Sequence, residues 1–213
     1  MRVVVPFDPG SPNTRLSAVL SSDERREFAD AMLADVLSAV RAAGGDPEIL
    51  STAAFDVTDL DANGDSAPVT VDDRDLSAAV NDALAEGLPA AVVMADLALA
   101  TPDALTELFD TAGDVVVAPG RGGGTNALVV RTDGFAVDYH GVSYADHVAA
   151  AEAAGASVAT VDSFRLAVDV DDPPDLLEVL VHGTGSAAEW LRNAGFAVVV
   201  EDGEPTVTRE SGG

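Results

Sequence analysis

A chain of 213 residues is long enough for one well-buried domain and short for two. All 11 basic residues are Arg, the acids are 26 Asp and 11 Glu, and the net charge of −26 excludes a phosphate-neutralising nucleic-acid surface and an anionic membrane partner. Disorder is excluded as well: 47% of residues are hydrophobic and the mean hydropathy is +0.20, whereas disordered chains of high charge are poor in apolar residues.

Arg2 to Pro6, with three valines in a row, predicts a first buried strand. Ser21 and Glu24 have capping-box spacing and open a helix that Gly44-Gly45 stops near Ala43. Residues 48–52 read as a short strand, and Asp56 to Pro68 as an acidic loop or hairpin turn around Asn63-Gly64. Val69 to Val71 reads as a brief strand and Asp75 to Glu86 as a helix. Ala90 to Met94 is the strongest strand, with Asp96 just beyond it, and Thr101-Pro102 starts a helix with Pro at its first position. Asp114 to Ala118 is the next strand, followed by the loop GRGGGTN (Gly120 to Asn126) and a strand over Ala127 to Arg131. Ser143 to Ala154 is helical, and Ser157 to Val161 and Leu166 to Val170 are strands. Pro173-Pro174 leads a helix to about Val181, Ser186 to Asn193 forms the last helix, and Phe196 to Val200 the last strand. Residues 204–213 read as a flexible acidic tail. Strands alternating with helices in this way predict one α/β domain over residues 1–203, a mainly parallel sheet between helical layers.

In such sheets ligands bind beyond the carboxyl ends of the strands. Asp96 stands at such an end, a place that also suits a helix-capping or surface Asp. Asp169-Val170-Asp171 follows the apolar run Leu166 to Val168, and the two-residue period of an extended chain puts both carboxylates on one face. With Asp96 they would make an oxygen-rich Mg²⁺ site. The pattern alone carries little, since Asp59/Asp61 and Asp73/Asp75 share it within polar stretches. In GRGGGTN, the run Gly122 to Gly124 would let backbone N–H groups approach an anion such as a nucleotide phosphate, with Arg121 adding a permanent charge; a flexible hairpin turn is the alternative. No Lys is present for a Walker A loop. Gly183-x-Gly185-x-x-Ala188 matches a dinucleotide fingerprint but follows a helical stretch, so it reads as a helix–helix turn. His140, His147 and His182 are spaced for no metal site, and no nucleophile motif is present. Placed carboxylates, an anion cradle and no general base suit phosphoryl or nucleotidyl transfer.

The stretches VVVPFDPGSPNTRLSAVLSSDERREFADAMLADV, VVMADLAL, APGRGGGTNALVVR, HGVSYADH and SFRLAVDVDDPPDLLEVLVHG run in the same order as in the archaeal 2-phospho-L-lactate guanylyltransferases, the CofC family, which the chain resembles from Arg2 to about Phe196. The resemblance implies a nucleotidyltransferase (glycosyltransferase-A-like) fold with a mixed sheet. It implies that GTP is joined to 2-phospho-L-lactate, giving lactyl-2-diphospho-5′-guanosine and pyrophosphate in coenzyme F-420 biosynthesis. It further implies Mg²⁺ on Asp96, Asp169 and Asp171, with Thr125, Ser143 and backbone near Gly141 on the acid's phosphate. Arg15, the first loop's cation where relatives often carry Lys, would face the triphosphate together with Arg121, Gly122 and Gly123. A homodimer follows from the resemblance only.

Three other functions are left open: a related nucleotidyltransferase with phosphoenolpyruvate or a molybdopterin as acceptor, a glycosyltransferase, and a non-catalytic GTP-binding module. The N-terminus lacks a signal-peptide pattern, and the longest uncharged apolar run, Leu88 to Ala95, falls short of the roughly 20 residues of a membrane span, so a soluble cytoplasmic protein is expected. An acidic, lysine-free surface resembles that of proteins from salt-loving organisms, because at molar salt the Debye length shrinks to about 3 Å and self-repulsion fades.

Overall fold

The computed structural model describes residues 1–57 and 67–210. Asn63-Gly64 and the pair Asp59/Asp61 lie outside the described residues. In β1 (Arg2–Phe7), Val3 and Val5 enter one apolar cluster and Val4 another, so consecutive valines serve opposite faces of a sheet covered on both sides. A 3-10 turn (Thr14–Ala18) follows, then α1 (Ser22–Ala42), whose Ser21–Glu24 capping box forms in full. The chain continues through β2 (Asp46–Ser51), β3 (Val69–Val71), α2 (Leu76–Ala85), β4 (Ala90–Val93), α3 (Pro102–Asp110), β5 (Val115–Pro119) and β6 (Thr125–Val130). Then come α4 (Ser143–Ala153), β7 (Val158–Thr160), α5 (Phe164–Ala167), α6 (Asp175–His182), α7 (Ser186–Asn193), β8 (Phe196–Glu201) and β9 (Glu204–Arg209).

Among the described residues, seven strands form one sheet in the order β3-β2-β1-β4-β6-β5-β7. β6 runs antiparallel to both β4 and β5, and the other pairs are parallel, which makes the sheet mixed but mainly parallel. Helices α1, α3, α6 and α7 bury their apolar residues against one face with Val3, Val5, Ala91 and Val129. The other face packs Val4, Val92 and Leu128 against Val80 and Leu84 of α2, and Val115 and Val117 against Ala151 of α4. Three layers result, as the strand–helix alternation predicts. Because β1 sits between β2 and β4, the chain leaves neighbouring strands in opposite directions there, and a crevice opens beyond their carboxyl ends.

Two expectations need correction. Leu166 to Val170 is not a strand. The Leu166 and Ala167 amides both bond back to Ser163 O, winding residues 164–167 into the short α5, and the chain straightens only afterwards. Val168 and Val170 are buried while Asp169 and Asp171 are partly exposed, so the two-residue alternation persists without a sheet ladder. Residues 204–209 are likewise no loose tail, since β9 pairs with β8 along its length. Asp202 and Gly203 have φ of 52° and 88°, the left-handed pair that a tight two-residue hairpin demands. Arg209 pins the hairpin: its guanidinium stacks 4.8 Å over Phe196, donates to Ala194 O at 2.9 Å and pairs with Glu24 at the start of α1. Gly183 to Gly185, as expected, forms the α6–α7 turn.

Candidate active site

A cavity of about 330 Å³ occupies the crevice beyond β1 and β4, within the range of small-molecule sites. Phe7, Asn13, Thr52, Arg74, Asp96 and Asp171 are among its walls. Asp96 reaches it because β4 ends at Val93 and the turn that follows leads the chain over the strand end. Its Oδ1 is buried and has no hydrogen-bond partner among the described residues. Burial, reinforced by the nearby Asp169 and Asp171 carboxylates and more weakly by Asp175, pushes its pKa up to about 7. An unsatisfied carboxylate among like charges is what a cation would relieve.

The Asp169–Asp171 segment is brought to Asp96 by backbone bonding. The Val170 amide donates to Asp96 O at 3.2 Å, and Asn13 of the first loop donates its Nδ2 to Val170 O at 2.8 Å. Asn13 adopts a left-handed conformation (φ 46°) that Asn tolerates better than most residues. Asp171 takes Arg15 Nη1 at 2.9 Å, and burial outweighs that cation in holding its carboxyl above the usual range. Asp169 Oδ1 accepts from Asn126 Nδ2 at 3.2 Å, and the same amide donates to Leu166 O at 3.0 Å.

Among the described residues no three His, Asp or Glu side chains form a ready-made metal cage. Asp96, Asp169 and Asp171 therefore do not converge as a complete ligand set by themselves; Mg²⁺ commonly takes only one or two carboxylates, with waters and substrate phosphates completing its shell. The orphaned Asp96 Oδ1 and the carboxylates beside it are the hard oxygen donors such an ion needs.

The glycine-rich loop lies against the same segment, since the Arg121 amide donates to Ala167 O at 3.0 Å. Its N–H groups are partly used within the fold: Gly120 donates to Gly124 O, Gly123 to Gly120 O, and Thr125 to Ser143 Oγ. A Cβ at Gly120 would stand 2.5 Å from Asn126 Oδ1, so this glycine makes room for the side chain that holds Asp169. Gly123 has φ +83° and lies under Val142, whereas Gly122 faces open space. Arg121 pairs with Asp175 at 2.6 Å and lies 3.6 Å from Glu178.

Thr125 and Ser143 come together as expected, but buried, and neither lines the cavity. Ser143 is the first residue of α4 and does not cap it; its hydroxyl holds the Thr125 amide at 2.9 Å. Gly141, at φ +55°, turns the chain just before it. Asn13, Arg74, Asn126 and His147 escaped the sequence reading as site residues. For His147 a signal existed: Ser143 and His147 have the i, i+4 spacing that puts both on one helical face.

A family profile described as "Guanylyl transferase CofC like" matches residues 1–210. A protein named 2-phospho-L-lactate guanylyltransferase from Halobacterium salinarum is 58% identical over 212 residues, covering 99% of each chain. One of the same name from Natronomonas pharaonis is 56% identical, covering 98% of this chain and 99% of its own. Among solved structures, one from Desulfovibrio desulfuricans G20 described as a nucleotide-diphospho-sugar transferase superposes with a TM-score of 0.69 over 90% of this chain and 94% of its own; at 18% identity it speaks for the fold alone. Matched over nearly its whole length, the chain belongs to the CofC-like guanylyl transferase family.

Proposed function

We propose that the chain transfers the guanylyl group of GTP to 2-phospho-L-lactate, forming lactyl-2-diphospho-5′-guanosine and releasing pyrophosphate for coenzyme F-420 biosynthesis. Family membership and the names of its haloarchaeal relatives support the activity. Within the structure, one observation carries it: the unpartnered Asp96 Oδ1 in the crevice cavity, with Asp169 and Asp171 beside it.

An ionised phosphate oxygen of the acid attacks the α-phosphorus of GTP in line, and the bond to the bridging oxygen of pyrophosphate breaks. The nucleophile is charged near neutral pH, so positioning and charge neutralisation are the main demands on the protein. Asp96, Asp169 and Asp171 would hold Mg²⁺, which when bound offsets repulsion between the two anionic substrates. Arg15 would exchange Asp171 for the triphosphate, and Gly122 with Arg121 would border the same phosphates. Thr125, Ser143 and the backbone at Gly141 would orient the phosphate of the acid. Asn126 and Asn13 both hold the carboxylate segment, Asn126 at the Asp169 side chain and Asn13 at the Val170 carbonyl.

Homodimerisation, implied by the family resemblance, and a cytoplasmic location, expected from the sequence, belong to the same proposal. Among the described residues no helix is long and apolar enough to cross a membrane. The test is pyrophosphate release with each nucleotide in turn against 2-phospho-L-lactate and phosphoenolpyruvate, in molar KCl with Mg²⁺. GTP with phospholactate should be the fastest pair. Release favouring another acceptor would overturn the substrate assignment, and GTP binding without release would mark a non-catalytic module.

A further inference from the structure

His147 is fully buried on α4, with the ring edges of Phe135 and Tyr139 centred 6.0 and 5.1 Å away. Its Nε2 lies 2.8 Å from the Asp138 backbone nitrogen, and its Nδ1 lies 2.8 Å from Thr125 Oγ1. A backbone N–H can only donate, so Nε2 must present its lone pair. A ring whose Nε2 accepts carries no proton there and is therefore neutral; burial, which lowers the imidazole pKa against the weaker pull of Asp138 and Asp146, acts in the same direction. A neutral imidazole has one N–H, and here it can only be on Nδ1. Thr125 Oγ1 is therefore the acceptor in this pair, and its own proton must point elsewhere.

The neighbouring hydroxyl is in the same condition. Ser143 Oγ accepts the Thr125 amide, and its proton, like that of Thr125, meets no acceptor among the described residues. Two adjacent buried hydroxyls thus have an acceptor side filled and a donor side unspent. Such a pair suits a fully ionised phosphate, which offers only acceptors.

We propose that His147 is a positioning residue that, through its Nδ1–H tautomer, turns the Thr125 hydroxyl into an obligate donor toward the phosphate of the acid substrate. This rests on the reading of Thr125 and Ser143 as that phosphate's contacts. The amide variants divide the two ring nitrogens between them. In His147→Asn the side-chain NH₂ takes the place of Nδ1 and can still donate to Thr125. In His147→Gln the amide oxygen reaches the place of Nε2 and can still accept from Asp138, while the donor to Thr125 is lost.

Steady-state titration of each substrate in molar KCl tests the proposal. His147→Gln should raise the KM for phospholactate roughly tenfold with the KM for GTP little changed, and His147→Asn should recover most of that loss. Equal effects of the two variants would show a structural role only and overturn the proposal. Thr125→Val separates the two layers. If it leaves the phospholactate KM unchanged, the phosphate reading falls and the His147 proposal with it; if it raises that KM while His147→Gln does not, the His147 proposal alone falls. Should the Gln variant fail to fold, nitrogen-15 NMR of the wild-type protein decides: an Nδ1–H tautomer at His147 supports the proposal, and an Nε2–H tautomer overturns it.

Discussion

The crevice beyond β1 and β4, with its partly buried carboxylates, and the buried polar cluster under α4 solve opposite problems. At the crevice, Asp96 lies among Asp169 and Asp171 with an oxygen unpartnered, so the fold carries uncompensated negative charge that a cation would answer. Under α4, Thr125, Ser143 and His147 are neutral and satisfy one another, and what is unspent is hydrogen-bond donation. Joining two anions calls for both devices: charge to neutralise one, and neutral donors to orient the other without binding it too tightly. The buried charge also costs stability, whereas the neutral network adds to it.

The largest effect that would break this contrast is at Asp96. Asp96→Asn should lower turnover by at least about 10²-fold, because an anionic group at the reacting phosphates is lost. In metal-free buffer the same variant should melt higher than the wild type. The sign follows from a native pKa of about 7 against 3.8 in the unfolded chain. Between those values the native state binds more protons, so wild-type stability falls as pH rises from 4 to 7, and the Asn variant escapes that loss. A displacement this large is worth about 4 kcal/mol at most, and the melting gap should widen across that window. A variant that melts lower than the wild type at pH 7 would remove the charge strain from the account.

A smaller effect is expected under α4. Thr125→Ala and Ser143→Ala should each raise the KM for phospholactate roughly tenfold and leave the KM for GTP nearly unchanged, as loss of one charge-assisted bond predicts. Ser143→Ala should also cost about 1–3 kcal/mol of stability, because the buried Thr125 amide loses its acceptor. A selective GTP defect would mean that the two anion sites have been exchanged. Smaller still is Arg15→Gln. Its pair with Asp171 is largely exposed, so thermal stability should change by less than about 1 kcal/mol. The KM for GTP should rise severalfold and that for phospholactate should not, as titration of each at saturating partner would show.

Salt acts on the whole surface and gives a control for both regions. With 26 Asp and no Lys, dialysis from molar KCl to about 0.1 M, where the Debye length reaches about 10 Å, should bring cooperative loss of helix in circular dichroism. An unchanged spectrum and full activity in dilute buffer would contradict the halophilic reading of the surface.

Local signals carried the layers. The Ser21–Glu24 box, Pro at the start of α3 and the valine runs each act within a few residues, and the structure keeps all of them. Placement of Asp96 at a strand end and the alternation in Asp169-Val170-Asp171 brought the carboxylates together in the sequence reading for sound reasons, even though residues 166–170 are not a strand. What escaped depends on distance along the chain. Nothing near Asn13 announces a bond to a carbonyl 157 residues away, and nothing near Asn126 announces Leu166 and Asp169, 40 and 43 residues on. The β8–β9 hairpin was legible in Asp202-Gly203, but the acidic composition of the tail masked it.

The account turns on whether the crevice carboxylates hold the cation that the chemistry needs. Electron paramagnetic resonance of Mn²⁺ in molar KCl, with a non-reacting GTP analogue present, measures this directly on wild-type protein and on Asp96→Asn. One class of tightly held Mn²⁺ that is weakened at least about tenfold in the variant is the predicted result. Equal Mn²⁺ binding by the two proteins would contradict it and place the metal away from Asp96.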